Sequence, residues 1–229
     1  MSTTVTERPL YIAIQYIYYV MITNILFIAA NILLVAAFIF VEIRIENILL
    51  FYAALLPMGP ALAALHATMG KAIREQDLKP VKDFFSYYRK NFAVSSKYWL
   101  IHLTAVTILI IDIHYANIYF SALSPIFLFL IVILLFMMLY AFPILTRFEV
   151  KIKNLLMVSI YSIFRFYKTT LLHLSTLLSL GIIYYFAPGI VWWFCMSAAV
   201  FFIMLNMNKP LKVLETQMSE NVREQHEKV

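Results

Sequence analysis

Between Pro9 and Val41 the chain runs for 33 residues without a formally charged side chain, longer than the roughly 20 that a helix needs to cross a bilayer core. We expect one tilted span with an interfacial lead-in. It does not read as a cleavable signal peptide, because only Arg8, set against Glu7, stands ahead of it and no small-residue cleavage site closes the apolar run. A second uncharged run, Asn47 to Gly70, contains Pro57, Gly59 and Pro60, so a kink is expected there. Asp112 interrupts the apolar text that follows Tyr98, and we read one span from about Phe92 to Ile111 and another from about Ala122 to Leu145. Thr169 to Asn208 is uncharged over 40 residues, with Ala187-Pro188-Gly189 at its middle, and predicts a hairpin of two spans.

The expected fold is an all-α integral membrane protein with six transmembrane helices. Composition agrees: 63% of the residues are hydrophobic and 13% charged, against about 45–50% and about 25% in soluble domains. Such a chain cannot hide its apolar surface in a water-soluble monomer. Residues 1–208 would form the polytopic domain and 209–229 a charged cytoplasmic tail. Orientation follows from Lys and Arg near the span ends. Seventeen of the 18 basic residues fall in the segments on the side of the termini, and Arg44 alone falls on the other. Both termini are therefore expected in the cytoplasm.

The first long cytoplasmic segment carries Val81, Phe84, Phe85, Tyr88 and Phe92 at helical spacing, flanked by Lys82, Arg89, Lys90 and Lys97. This predicts an amphipathic helix whose face, made of Phe84, Phe85, Tyr88, Arg89, Lys90 and Phe92, either lies among lipid headgroups or docks a protein partner. A second amphipathic helix is expected from Ile152, Leu155, Leu156, Ile160, Ile163, Phe164 and Tyr167. Laying Phe84–Arg89 over Ile160–Arg165 brings Gly70-Lys71 over Thr146-Arg147 without a gap, which describes a parallel internal repeat or a chance match of two amphipathic segments. In the tail, Leu211, Leu214, Met218 and Val222 form a short apolar seam.

Gly59, Ala63 and Ala67 recur every fourth residue in the second span, with Gly70 beyond them. Rows of this kind let helix backbones approach closely in lipid, within one chain or between subunits. Polar groups inside the membrane are costly enough to be functional candidates. Those in this sequence are Asn24 and Asn31 in the first span, His66, His102, His173, and Asp112 near the outer end of the third, where it serves as an interfacial residue or a proton or ligand site. The histidines have no metal-ligand spacing, and no nucleophile elbow or phosphate-binding lysine loop is present. Cys195 stands alone in an apolar span, where a small hydrophobic role is expected. No catalytic, cofactor or metal site is expected, and no nucleic-acid partner.

The stretch Leu56-Pro57-Met58-Gly59-Pro60-Ala61-Leu62-Ala63-Ala64-Leu65, then Lys71 and Arg74, then Lys82-Asp83-Phe84-Phe85 with Tyr88 and Asn91-Phe92, resembles the YesL-like family of bacterial integral membrane proteins. Phe142-Pro143-Ile144-Leu145-Thr146-Arg147-Phe148 and Asn31 look similar too, while His66 stands where that family usually has Tyr or Phe. The resemblance implies a multi-pass protein of the bacterial cytoplasmic membrane, of unknown function, found beside carbohydrate importers of the ATP-binding-cassette (ABC) type in Gram-positive bacteria. It carries no catalytic residue with it. The leading expectation is a non-enzymatic accessory or regulatory subunit whose partners are the lipid bilayer and the permease or ATPase subunits of such an importer. The alternative is a small-solute transporter or channel with a midplane site near the Pro57-Gly59-Pro60 break, where a transporter would line a polar path.

Overall fold

The computed structural model describes residues 9–75, 77–191 and 193–227, within which every regular element is helical. In chain order these are α1 (Pro9–Ala30), α2 (Ile32–Phe40), α3 (Ile48–Leu55), α4 (Met58–Glu75), α5 (Pro80–Tyr119), α6 (Ser124–Arg147), α7 (Ile152–Arg165), α8 (Tyr167–Phe186), the single turn α9 (Pro188–Val191) and α10 (Cys195–Glu227). Arg8 and Lys228 lie outside the described residues, as do the side chains of Met218 and Val222.

The uncharged runs break where their chemistry disfavours a straight helix. The first is two helices, not one: Asn31 separates α1 from α2 at φ −110° and ψ 28°, and its side-chain amide donates to the Phe27 carbonyl at 2.8 Å. An asparagine side chain competes in this way with the backbone ladder. The second run bends by 46° between α3 and α4, at the expected Pro57-Gly59-Pro60 kink. α7 and α8 part at Phe166.

Four of the interruptions find a polar partner on another helix, as backbone groups removed from water need, whereas the Asn31 side chain bonds only within α1. The Trp99 indole N–H donates to the carbonyl of Leu55, the last residue of α3, at 2.8 Å. The Tyr140 hydroxyl donates to the Phe166 carbonyl at 3.2 Å and lies 2.7 Å from the Thr170 hydroxyl. The backbone N–H of Leu78, between α4 and α5, donates to the Tyr19 hydroxyl at 3.3 Å. Asn24 accepts the N–H of Ser197 in the first turn of α10, at 3.2 Å, where a helix has no partner of its own to offer.

One expected boundary is absent. The first amphipathic helix and the third span are one helix, α5, of 40 residues, because neither Pro nor Gly interrupts the sequence from Val81 to Tyr119. At 1.5 Å per residue it is about 60 Å long, twice the roughly 30 Å of a hydrocarbon core. α10 runs unbroken through residue 208 and past Pro210, so the tail continues the last apolar helix, and Leu211 and Leu214 of the tail seam are buried in the main core.

Among the described residues, four helices are long and apolar enough to cross a membrane: Leu10–Ala30, Pro80–Tyr119, Ser121–Arg147 and Tyr167–Phe186. The bent pair Ile45–Leu55 with Met58–Glu75 makes a fifth if it is one crossing. By length and composition the described helices thus supply four or five of the six expected spans. The Pro188 turn and the residues after it push the start of α10 to Cys195, so its apolar part soon meets Asn206, Asn208, Lys209 and Lys212.

The core is organised around α4, buried at every residue from Gly59 to Gly70 and packed against α5, α10, α6 and α1. Tyr98, Phe84, Phe142 and Tyr140 are the largest side chains sealed around it. α8 and the first half of α6 present Leu, Ile and Phe outward.

Candidate functional site at the basic end

The C-terminal ends of α4 and α6, the first half of α5 and the second half of α10 meet at one end of the bundle, which holds a concentration of the basic residues. Lys71 at the end of α4 pairs with Asp83 of α5 at 3.0 Å. The same carboxylate accepts the backbone N–H of Lys79 at 2.9 Å, holding the first turn of α5 against α4. Both side chains are largely shielded from solvent, so this pair fixes geometry better than an exposed one would.

The aromatic stripe of α5 is split between two faces. Phe85 and Phe92 are 48% and 50% exposed, beside exposed Arg89 and Lys90. A shallow, widely open groove between side chains of α5 runs along this face, lined by Val81, Lys82, Phe85, Ser86 and Arg89. Phe84, expected on the same face, is fully buried, and Tyr88 is half-buried between the two. The inner stripe is Phe84, Tyr88, Asn91, Ser95, Tyr98 and His102. Hydrophobic periodicity missed it because Asn91 and Ser95 are polar. α7 repeats the lesson: Leu155, Ser159 and Ser162 point inward while Ile160, Tyr161 and Phe164 are exposed. Under the proposed overlay, buried Phe84 falls on exposed Ile160, and the second unit breaks at Phe166 where the first runs straight on.

The small-residue row is buried throughout but serves two neighbours. A Cβ on Gly59 would overlap Trp99 Cβ of α5, and one on Gly70 would lie 2.7 Å from Met204 Cε of α10. Ala63 and Ala67 lie between these contacts, both buried.

The polar intramembrane candidates do not assemble into one site. His66 donates its Nδ1–H to the Leu62 carbonyl at 2.8 Å and stacks on Phe142 at 5.5 Å. His102 stacks on Trp99 at 5.8 Å and lies 3.5 Å from the Tyr98 hydroxyl. Phe142, Tyr98 and Trp99 thus form an aromatic layer with one histidine on either side. Asn24 belongs to a separate contact of α1 with α10, in which Thr23 also donates to the Ser197 hydroxyl at 3.1 Å. Asn31 stands at the α1–α2 break and Asp112 is half-buried near the far end of α5. Buried His173 packs edge-on against Tyr140 at 5.4 Å. Among the described residues, no three metal-donor side chains gather as an ion would require. This arrangement packs and orients helices. Trp99 and Tyr140, which clamp two breaks, carry no sequence signal beyond being aromatic residues with a donor.

A family described as proteins of unknown function, DUF624, matches residues 20–113. The match begins inside α1 and ends inside α5, so it takes in the α3–α4 break, the buried row and the exposed face of α5. No curated protein and no solved structure matches the chain.

Proposed function

We propose that this protein is a non-enzymatic accessory or regulatory membrane subunit, docked to an ABC-type carbohydrate importer through the outer face of the first half of α5. The observation that carries the reading is the groove beside exposed Phe85, with Phe92, Arg89 and Lys90 next to it. Aromatic and arginine side chains dominate binding energy at protein interfaces, and α5 is long enough to present these beyond the hydrocarbon core. The importer, its sugar substrate and the bacterial plasma membrane enter through the YesL-like resemblance. In this reading α1–α2, α3–α4, α5, α6, α8 and α10 make six crossings, with the basic end and both termini in the cytoplasm.

The competing reading places a transported solute at the α3–α4 break. It fits less well, because Trp99 fills the space beside Gly59 and satisfies the Leu55 carbonyl.

The test is purification in mild detergent with identification of what accompanies the protein. Importer subunits should co-purify with the wild type. Phe85→Ala should weaken association about thirtyfold, the equivalent of about 2 kcal/mol for a buried aromatic anchor. Arg89→Glu should reduce recovery as well. Unchanged recovery of the complex with both variants at equal expression rejects this face as the docking site.

A further inference from the structure

A second feature of the basic end stands apart from the α5 groove. Between α4, α6 and α10 lies a cavity of about 240 Å³ whose lining includes Arg74, Arg147, Lys212, Asn208 and Gly70. Three cations from three helices converge on it, and Arg74 feels the like charge of Arg147 as well as the opposite charges of Glu75 and Glu215. Glu215 pairs with Arg147 at 3.0 Å, and Glu75 lies 4.0 Å from Lys71. Among the described residues, neither Arg74 nor Lys212 forms an ion pair. A cation at the carbonyl end of a helix is favourable in itself, which accounts for Arg74 and Arg147 singly. It does not account for Lys212, well inside α10, facing the same space.

Gly70 shapes the cavity. A Cβ there would come within 3.0 Å of an Arg74 guanidinium nitrogen, so the bare glycine lets the guanidinium fold back over its own helix. Two planar guanidinium groups, an ammonium and an amide provide donors only on the charged groups, the set that suits a tetrahedral oxyanion. The cavity is smaller than the roughly 300–1,000 Å³ of pockets that enclose a drug-sized ligand, a size that suits a phosphate with a small substituent.

We infer that this cavity binds the phosphate group of a small phosphorylated anion, supplied by an anionic phospholipid headgroup or by a soluble compound. Basic pockets between membrane helices commonly hold such headgroups. The inference does not depend on the docking reading.

The test uses the full chain in nanodiscs of phosphatidylcholine alone, or of phosphatidylcholine with phosphatidylglycerol. Thermal unfolding and native mass spectrometry are followed, and inorganic phosphate is titrated against sodium chloride at matched ionic strength. Stabilisation and retained lipid only with phosphatidylglycerol identify a headgroup site; saturable stabilisation by phosphate in phosphatidylcholine identifies a soluble ligand. In either case Arg74→Gln and Lys212→Gln should each weaken binding about tenfold, the size of one lost charge-assisted contact. Lys153→Gln, which removes an exposed cation from α7, should leave binding unchanged. If Arg74→Gln does not fold, exposed Lys212→Gln carries the test alone. No stabilisation by either probe, or equal weakening by Lys153→Gln, overturns the site.

Discussion

α4 and α8 are similar in length, 18 and 20 residues, and opposite in placement. α8 is apolar enough to count as a span by itself, yet His173 is its one buried residue, with Leu171, Leu178 and Ile182 all turned outward. α4 qualifies only together with α3, and it is the helix that the others surround. In water the more apolar helix would be the interior one. In lipid, acyl chains solvate leucine as well as another helix does, so association selects small side chains that bring backbones together and polar ones that find partners. Hydropathy in this chain marks the outside, and Gly, Ala, Ser and buried hydroxyls mark the inside.

That contrast can be broken most severely at Gly59. Gly59→Leu must displace Trp99, whose Cβ already lies where the new Cβ would stand. It should cost about 3 kcal/mol or more, at the upper end of overpacking effects, and almost abolish recovery of monodisperse protein by size-exclusion chromatography. Trp99→Phe keeps an aromatic ring but leaves the Leu55 carbonyl without its donor. A loss of about 1–2 kcal/mol is expected in reversible unfolding. Tyr140→Phe should cost about 0.6 kcal/mol by the same measurement, since the backbone N–H groups of Thr169 and Thr170 also donate to the Phe166 carbonyl, at 2.8 and 3.0 Å. If Tyr140→Phe proves worse than Trp99→Phe, the α7–α8 break is the more dependent of the two on its clamp.

Orientation sharpens the contrast without touching stability. In a Cys195→Ser background, cysteines at Glu46 and Asn117 should react with an impermeant thiol reagent added to intact cells, while one at Gln217 should react only after lysis. Labelling of Gln217 from outside would invert the proposed topology.

Much of the architecture was legible in the residues. Uncharged runs located most of the helices, Pro57-Gly59-Pro60 located the bend, and the Gly59–Ala63–Ala67 spacing located the buried row. What was not legible has physical reasons. Asn31 breaks a helix through its own side chain, which span length cannot register. Phe84 and Phe85 are adjacent and equally apolar, so only the polar continuation through Asn91 and Ser95 tells which one faces inward. Arg74, Arg147 and Lys212 count in the sequence as orienting charges, and the first two also in the family resemblance, but nothing in their separate segments indicates that they meet.

The central claim is that α4 is solvated by protein and α8 by lipid. The most direct measurement is the unfolding temperature, in lipid nanodiscs, of Ala63→Leu and Leu178→Ala, at positions 0% and 59% exposed. Ala63→Leu overpacks the centre and should lower Tm by several degrees, from about 1–3 kcal/mol at about 2–4 °C per kcal/mol. Leu178→Ala exchanges one lipid contact for another and should change Tm by no more than about 1 °C, lipid being as apolar as the leucine removed. A Leu178→Ala protein that unfolds as early as Ala63→Leu, or an Ala63→Leu protein as stable as the wild type, would contradict the account.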